Sequence, residues 1–421
     1  MQFTETEEKK ERVILAGVHT GRADRLNDTD DISIKELEEL TKTAGGEVVG
    51  ILVQNRPDIE NATYIGEGKL QELLEYTVTL EADTVIFDDE LSPIQLRNLN
   101  DTLGVKVLDR SMLILDIFSM HAKSGEGKLQ VELAQLKYRL PRLRGMGAGM
   151  SRTGGGIGTR GPGETRLETD RRHIHRRIGA LEAEIKEIKK HRQLIRERRQ
   201  KDGVITAALV GYTNAGKSTL LNTLTDADVY AKNKLFATLD PTSRGLTLSD
   251  NRTILLIDTV GFIRKLPHHL VEAFKSTLEE ASEADFLLHV IDSSSPDYED
   301  QIEIVEDVLR DINAHQKPVI GVYNKFDLIA EKEVLTRAYQ KSVFISAKKK
   351  LNIDDLISLI YDTAPGKKQE LHILIPYSDA RLLDSLHTNQ KVLSEEYTEN
   401  GIEIKLLADS ITYDKLKKYE I

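Results

Sequence analysis

Cysteine is absent from this sequence, and that absence excludes both a disulfide framework and a thiolate metal site. It also fits a reducing compartment. Long apolar runs are missing too, because none approaches the ~20 residues that a membrane-spanning helix needs. Residues 1–12 are polar and acidic and lack the apolar stretch of a signal peptide. We therefore expect a cytoplasmic protein with no integral membrane segment.

Length and charge set the scale of the fold. The 421 residues, of which 39% are hydrophobic, are enough for two to four domains with real cores. The net charge of −11 conceals a basic segment, since residues 121–203 carry 21 Lys and Arg against 10 Asp and Glu. Such a segment is typical of a surface that contacts a polyanion, usually nucleic acid. A solvated helix with many salt bridges would give the same balance, so charge alone leaves both interpretations open.

The first 120 residues alternate between short β-branched runs and helical patterns. Strands are predicted at 12–18, 47–54, 84–88 and 105–108, and helices at 34–43, 68–80 and 93–102. This alternation is typical of a parallel sheet with crossover helices. Gly66-Glu67-Gly68-Lys69 could be taken for a phosphate loop, but it lacks the P-loop spacing, and we interpret it as a helix start.

The next segment has a helical pattern instead. Leu129, Leu133, Leu136 and Leu140 have heptad-like spacing, and apolar residues repeat at similar intervals between 167 and 195. They predict an antiparallel helical hairpin whose second helix is ~50 Å long at 1.5 Å per residue. A glycine-rich loop at 142–163 is expected at its tip.

Arginines are interleaved with the glycines of this loop, at Arg142, Arg144, Arg152 and Arg160. A loop of this composition has no core and costs considerable entropy to order. A flexible linker would explain the glycines but not the arginines. Guanidinium groups on a pliable backbone suit phosphates and irregular RNA surfaces, so we favour RNA contact by these residues.

A phosphate-binding motif stands between a predicted strand at 205–210 and a predicted helix. The run is Gly211-Tyr212-Thr213-Asn214-Ala215-Gly216-Lys217-Ser218, followed by Thr219, and it matches GxxxxGK[ST]. Its backbone N–H groups are expected to surround the β-phosphate. Lys217 is expected to reach the β- and γ-phosphates, and Ser218 to offer its hydroxyl to Mg²⁺.

Two further motifs complete the phosphate side. In Asp258-Thr259-Val260-Gly261, Asp258 is expected to hold Mg²⁺ through water and the Gly261 N–H to contact the γ-phosphate. Phe236-Ala237-Thr238-Leu239-Asp240 lies between this motif and the P-loop, and Thr238 is the candidate switch I ligand of Mg²⁺. We expect Lys217, Thr238 and Gly261 to act on the transferred phosphate.

The base side is carried by Asn324-Lys325-Phe326-Asp327. A carboxylate here can accept hydrogen bonds from the N1–H and the exocyclic amine of guanine, a donor pair that adenine lacks. Ser346-Ala347-Lys348 follows the next predicted strand and is expected to support the base through a backbone N–H. Together the five motifs predict a site for GTP as substrate and GDP as product.

We therefore predict an α/β fold in four parts. A P-loop GTPase domain at 204–366 is preceded by an α/β parallel-sheet domain at 1–120 and by the long helical hairpin at 121–203. A small α+β domain at 367–421 follows, with strands at 371–375 and 402–407 and helices at 380–386 and 413–419.

The motif set resembles the translation-factor-related GTPases, and within them the HflX family. The resemblance also rests on residues 126–136, 154–164, 236–242 and 258–262. It implies binding to the large ribosomal subunit and its RNA, with splitting or rescue of stalled ribosomes under stress. It further implies ATP binding by the N-terminal domain, for which this sequence has no ordinary motif. We expect a monomer, partly associated with ribosomes, with no DNA partner.

Two residues raise hypotheses about hydrolysis. Phe262 stands where many GTPases have a Gln that orients the attacking water. A phenyl ring cannot do so, and we expect slow intrinsic hydrolysis until a partner completes the site. In related GTPases an Asn at the position of Asn214 can use K⁺ to neutralise charge between the phosphates. The alternative, that Asn214 only stabilises its loop, is open.

Other functions fit the sequence less well. A signalling or trafficking GTPase would be expected to carry a lipidation motif, and we find none. A GTPase of RNA modification would need a second chemical site, but His173, His175, His268 and His269 have no partners at ligand spacing. An RNA-binding scaffold or ribosome-assembly factor, in which nucleotide only switches conformation, is the alternative that Phe262 favours.

Overall fold

The structure is a computed structural model that describes residues 10–21, 30–143, 162–225, 235–236, 241–250, 252–265, 278–329, 339–366, 369–408 and 410–421. Within these ranges the chain forms three sheets and a long helical hairpin. Their order along the chain is the predicted one. None of the helices described is long and apolar enough to cross a membrane.

A four-stranded parallel sheet forms the N-terminal domain, with strand order β2-β1-β3-β4. Its β-branched strands are covered on both faces, as parallel strands usually are. One face packs on Leu37 and Phe118, and the other on Leu73 and Leu99. The elements are β1 (Arg12–His19), α1 (Asp30–Thr43), β2 (Glu47–Asn55), α2 (Glu67–Thr79), β3 (Thr84–Phe87), α3 (Pro93–Leu103), β4 (Lys106–Asp109) and α4 (Arg110–His121).

Local capping signals set the helix ends of this domain. Gly66 precedes α2 and its N–H donates to Gln54 Oε1 at 2.9 Å, which confirms the predicted helix start. Ser92 and Gln95 form a capping box on α3. Asp109 caps α4 by accepting from the Met112 N–H at 2.9 Å. Our prediction lacked α4, because its nearly continuous apolar sequence shows no helical period.

The predicted helical hairpin consists of α5 (Gly125–Arg142) and α6 (Pro162–Lys201). The 40 residues of α6 extend for about 60 Å. Leu133 of α5 packs against Ile178, Leu181 and Ile185 of α6. Lys137 Nζ lies 2.9 Å from Glu182, and Glu126 at the start of α5 pairs with Arg192 near the end of α6, so the helices are antiparallel. Most of the predicted tip loop lies outside the described residues.

A six-stranded sheet forms the predicted GTPase domain, with strand order β10-β9-β8-β5-β7-β6. All neighbours are parallel except β6, which runs antiparallel to β7. The carboxyl ends of β5, β7 and β9 therefore meet at one edge, where ligands bind in such sheets. The elements are β5 (Ile205–Val210), α7 (Lys217–Thr225), β6 (Thr242–Thr247), β7 (Thr253–Asp258), β8 (Phe286–Asp292), α8 (Tyr298–Asp311), β9 (Val319–Asn324), β10 (Ser342–Phe344) and α9 (Ile353–Thr363).

The C-terminal domain is a three-stranded antiparallel sheet with strand order β11-β13-β12 and two helices. Ile373, Ile404 and Leu406 lie in its core. Our prediction lacked the edge strand β12, because Ser394, Glu395 and Glu396 make its centre polar. The elements are β11 (Gln369–Ile375), α10 (Leu382–Asn389), β12 (Lys391–Thr398), β13 (Gly401–Ala408) and α11 (Ser410–Leu416).

Candidate nucleotide-binding site

The phosphate loop runs from the end of β5 to the start of α7. Gly211 has φ 150°, and a Cβ at this position would lie 2.2 Å from the carbonyl oxygen of Val290. Gly216 has φ 98°, and a Cβ there would lie 2.3 Å from Nδ2 of Asn324. Both positions therefore require glycine. The loop is pressed against β8 at one end and against the base-recognition motif at the other.

Lys217 lies beneath this loop and is only 6% exposed. Its Nζ donates to the carbonyl oxygens of Gly211 at 3.0 Å and Tyr212 at 2.9 Å. Burial lowers the pKa of Lys217 to about 8, although the nearby carboxylate of Asp258 opposes the shift. An anion that enters the loop would restore the ordinary basicity of this amine.

Ser218 and Asp258 meet at the edge of the sheet. Ser218 Oγ donates to Asp258 Oδ2 at 2.6 Å, and Asp258 is fully buried at the end of β7. The neighbouring Thr259 is also fully buried, and its hydroxyl donates to the Leu209 carbonyl at 2.6 Å. A hydroxyl and a carboxylate are hard oxygen ligands of the kind that Mg²⁺ prefers. The pair fits a magnesium ion that takes its other ligands from phosphate and water.

Within the described ranges, no three His, Cys, Asp or Glu side chains cluster as a metal cage would require. Mg²⁺ commonly uses one or two protein groups together with substrate phosphates.

The segment after β7 lies along the phosphate loop. The N–H of Thr213 donates to the Phe262 carbonyl at 2.8 Å, and the N–H of Phe262 donates to the Gly211 carbonyl at 3.2 Å. Val260 is buried at 5% exposure. Gly261 lies so close to the loop that a Cβ on it would be 2.8 Å from Thr213 Cα. The backbone of this segment is therefore seated against the predicted phosphate loop.

Phe262 points away from that site. Its ring is 1% exposed and packs with Val210, Leu278 and Ala281 in the core between the sheet and the helical residues 278–283. The side chain at the usual glutamine position therefore does not face the phosphates.

Asn324 joins the phosphate loop to the base-recognition segment. Its Nδ2 donates to the Ala215 carbonyl at 2.9 Å, and its Oδ1 accepts from the Ala347 N–H at 2.9 Å. Both alanines are buried. The structure therefore brings together the three segments that the sequence predicts to bind guanine nucleotide.

Asp327 lies beside Ser346 on a short turn after β9. A hydrogen bond from Ser346 lowers the pKa of the Asp327 carboxyl, and Lys349 contributes to the same shift. The carboxylate is therefore ionised and able to accept at neutral pH. Lys325 lies at φ 62° and its Nζ donates to Asp292 at 2.6 Å, which fixes the turn. Lys348 is exposed.

Other predicted residues have different positions. Thr219 is half-buried in the first turn of α7. Phe236 packs edge-on against Phe118 of α4, with ring centroids 4.6 Å apart, so the candidate switch I begins at the N-terminal domain. Ala237, Thr238, Leu239 and Asp240 lie outside the described residues.

Arg142 does not have the expected position. Its Nη2 donates to the Leu91 carbonyl at 2.9 Å and to Glu90 Oε1 at 3.0 Å, and its guanidinium lies 3.3 Å above the Tyr138 ring. The side chain is 12% exposed and so is committed to the N-terminal domain rather than available to RNA. Arg144, Arg152 and Arg160 lie outside the described residues.

Sequence reasoning also missed a polar cluster beside the phosphate loop. Glu36, Asp88 and Arg110 of the N-terminal domain meet Tyr212 and Lys265 of the GTPase domain. They belong to no short motif and are far apart in the chain, so no local signal could have joined them.

Comparison with known proteins matches three consecutive regions of this chain. Family models match residues 31–119 (GTP-binding GTPase N-terminal), 121–199 (GTP-binding GTPase Middle Region) and 206–325 (50S ribosome-binding GTPase). The GTPase HflX of Caldanaerobacter subterraneus is 51% identical over 98% of this chain and 94% of its own length. That of Escherichia coli is 40% identical over 93% of this chain and 93% of its own length.

Among solved structures, a GTP-binding protein from Sulfolobus solfataricus in complex with GDP is 28% identical, and the match covers 84% of this chain and 98% of that chain with a TM-score of 0.44. The curated relatives decide the assignment, because their identity extends over nearly the whole length. The chain belongs to the HflX family of GTPases and hydrolyses GTP.

Proposed function

We propose that this GTPase acts on the large ribosomal subunit, where it splits or rescues stalled ribosomes under stress. Hydrolysis is slow in the isolated protein and is completed by the ribosome. The observation that carries this proposal is the burial of the Phe262 ring in the core. Because that ring cannot orient water, the group that positions the nucleophile comes from outside the chain.

The chain's own residues supply the remaining parts of phosphoryl transfer. Lys217 carries the positive charge that binds the β- and γ-phosphates, and Gly261 offers a backbone N–H to the γ-phosphate. Ser218, Thr238 and Asp258 are the residues that would hold Mg²⁺. The ion supplies charge neutralisation at the phosphates when it is bound.

The ribosomal part of the proposal rests on the family model at 206–325, which describes a 50S ribosome-binding GTPase. The basic hairpin supports it, since Arg171, Arg172, Arg176 and Lys186 are exposed on α6. Phosphate contacts of this kind provide affinity without sequence specificity. With Arg142 committed elsewhere, contact with ribosomal RNA falls to this face and to Arg144, Arg152 and Arg160. The protein acts as a cytoplasmic monomer.

The proposed role of K⁺ concerns Asn214. This residue has φ 61° and is exposed at the bend of the phosphate loop. Asparagine tolerates this left-handed conformation better than most residues, which is sufficient reason for its presence. Equal turnover in K⁺ and Na⁺ would remove the proposal that K⁺ takes part.

The test is GTP turnover by the full chain, alone and with purified large ribosomal subunits, in K⁺ buffer. We expect slow turnover alone and strong stimulation by the subunits. Co-sedimentation with a non-hydrolysable GTP analogue measures binding separately. Fast turnover of the isolated protein would contradict the incomplete site.

Failure of both stimulation and co-sedimentation would contradict the ribosomal role. Co-sedimentation without stimulated turnover would instead favour a scaffold or assembly factor in which nucleotide only switches conformation. A variant with Arg171, Arg172 and Arg176 changed to Gln tests the basic face. It should lose co-sedimentation while its unstimulated GTP turnover stays unchanged.

A further inference from the structure

The backbone N–H and carbonyl of Arg264 are hydrogen-bonded by the side chains of Tyr212 and Arg110, and both of these side chains contact the carboxylate of Glu36. The Arg264 N–H donates to Tyr212 Oη at 2.8 Å, and its carbonyl accepts from Arg110 Nη2 at 3.3 Å. Tyr212 Oη donates in turn to Glu36 Oε1 at 2.5 Å, and Arg110 pairs with the other carboxylate oxygen of Glu36. These contacts close a ring of hydrogen bonds across the boundary between the N-terminal and GTPase domains.

The ring is buried throughout. Arg110 is 1% exposed, Arg264 5% and Tyr212 7%, and the side chain of Glu36 is 9% exposed. Burial raises the pKa of the Tyr212 hydroxyl well above its ordinary value, so this group stays protonated and donates. Buried hydrogen bonds to charged groups are strong, and breaking one leaves a costly unpaired group. The ring is therefore a firm connection between the domains.

The next residue has its own connection to the N-terminal domain. Lys265 adopts φ 51°, and its Nζ lies 2.6 Å from Asp88 and 2.9 Å from Asp89. Arg110 Nη1 donates to the other oxygen of Asp88 at 2.8 Å, so this contact shares a member with the ring. Residues 264 and 265 are consequently both tied to the N-terminal domain.

These two residues end the segment that begins with Gly261. At its start, Phe262 is paired with the phosphate loop, and a Cβ on Gly261 would lie 3.0 Å from Lys217 Nζ. A segment fixed at both ends loses little further entropy when Gly261 contacts a γ-phosphate. Because GDP has no γ-phosphate, this preorganisation does not change its affinity.

We propose that Glu36 is a positioning residue for GTP, acting across the domain boundary through Tyr212. The ring holds residues 261–265 on the phosphate loop, so that Gly261 is in place for the γ-phosphate before GTP arrives. The N-terminal domain thereby raises the affinity for GTP relative to that for GDP. This inference concerns the isolated GTPase and does not depend on a ribosomal partner.

The test is a double-mutant cycle of Glu36→Gln and Tyr212→Phe in the full chain. Affinities for GDP and for a non-hydrolysable GTP analogue are measured by titration. Each single variant should weaken the analogue by about 5- to 20-fold and leave GDP within about twofold. Because both variants weaken the same ring of hydrogen bonds, the loss in the double variant should be smaller than the sum of the two single losses. Lys189→Gln is the matched control, since Lys189 pairs with Glu279 at 2.7 Å across another interdomain contact.

An equal loss of GDP and analogue affinity would show a structural role only and would overturn the proposal. Tighter analogue binding would also overturn it, since the ring would then hold the segment away from the γ-phosphate. Additive losses would overturn the route through Tyr212. If Glu36→Gln does not fold, Tyr212→Phe removes only the hydroxyl and decides the matter through the same affinity ratio.

Discussion

Lys349 Nζ lies 3.1 Å from Asp327 Oδ2, so the carboxylate expected to recognise guanine already has a cationic neighbour. The lysine is 59% exposed, whereas the side chain of Asp327 is 9% exposed. A pair with one freely solvated member contributes little stability. Asp327 is therefore held chiefly by Ser346 and its turn, and Lys349 is a minor support.

Selectivity for guanine should depend on Asp327 and not on its neighbour Lys349. Asp327→Asn replaces an acceptor with an N–H donor, which opposes the donors of guanine but matches the carbonyl at position 2 of xanthine. We expect GTP affinity to fall by about 100-fold or more and xanthosine triphosphate affinity to rise. Competition between the two nucleotides measures the change. Lys349→Ala, the matched control, should stay within about threefold of the parent for GTP.

GTP affinity should decline at alkaline pH because of Lys217. Its pKa is about 8 without nucleotide, and phosphate raises it, so binding above pH 8 requires proton uptake. We expect constant affinity below this pH and a loss that approaches tenfold per pH unit above it. Nucleotide titrations between about pH 7 and 9 measure this, a range in which phosphate, with a second pKa near ~6, is already ionised. A flat profile would contradict the lowered pKa. Lys217→Met should bind weakly without this pH dependence.

Placing a glutamine at position 262 should not speed intrinsic GTP hydrolysis. The side chain at this position faces the core, so Phe262→Gln buries an amide among Val210, Leu278 and Ala281. We expect a loss of about 3 kcal/mol or more in the free energy of unfolding and no faster turnover. Denaturant unfolding and single-turnover hydrolysis measure the two effects. Phe262→Leu should lower the free energy of unfolding by less than Phe262→Gln does. A gain in turnover by the glutamine variant would show that the side chain reaches the phosphates.

Arg142 should matter for stability and not for RNA. Arg142→Ala removes the hydrogen bonds that the guanidinium donates to Glu90 and to the Leu91 carbonyl, and it removes the stacking on Tyr138. We expect it to lower the free energy of unfolding by about 2 kcal/mol. Arg152→Ala and Arg160→Ala should leave thermal unfolding unchanged and weaken ribosomal RNA binding. Reversed results for the two sets would contradict this division.

The nucleotide motifs were predictable because each is a short contiguous run whose spacing is fixed by its own chemistry. Gly211 and Gly216 are required by close backbone contacts, and Lys217 and Ser218 must follow them directly. Five strands of the parallel sheets were equally readable from their β-branched runs. The observed bounds of the strands predicted at 12–18, 47–54, 84–88, 105–108 and 205–210 lie within a residue or two of these.

Features set by distant contacts were not predictable. Tyr212 and Glu36 are 176 residues apart, and only the packed domains bring them together. A glycine-arginine pattern shows the charge of Arg142 but not its burial against Tyr138. The edge strand β12 was hidden for a related reason, since an exposed edge needs no apolar alternation.

The contacts of Asn324 also bear on the length of the nucleotide that fits the site. One planar amide contacts Ala215 on the phosphate side and Ala347 on the base side, both at 2.9 Å. Because the amide group is planar and rigid, the Asn324 side chain fixes the distance between the two binding segments. A ligand must therefore match the span from guanine to phosphate as well as the chemistry at each end. Nucleotides with a shortened or lengthened linkage between base and phosphate are therefore expected to bind more weakly.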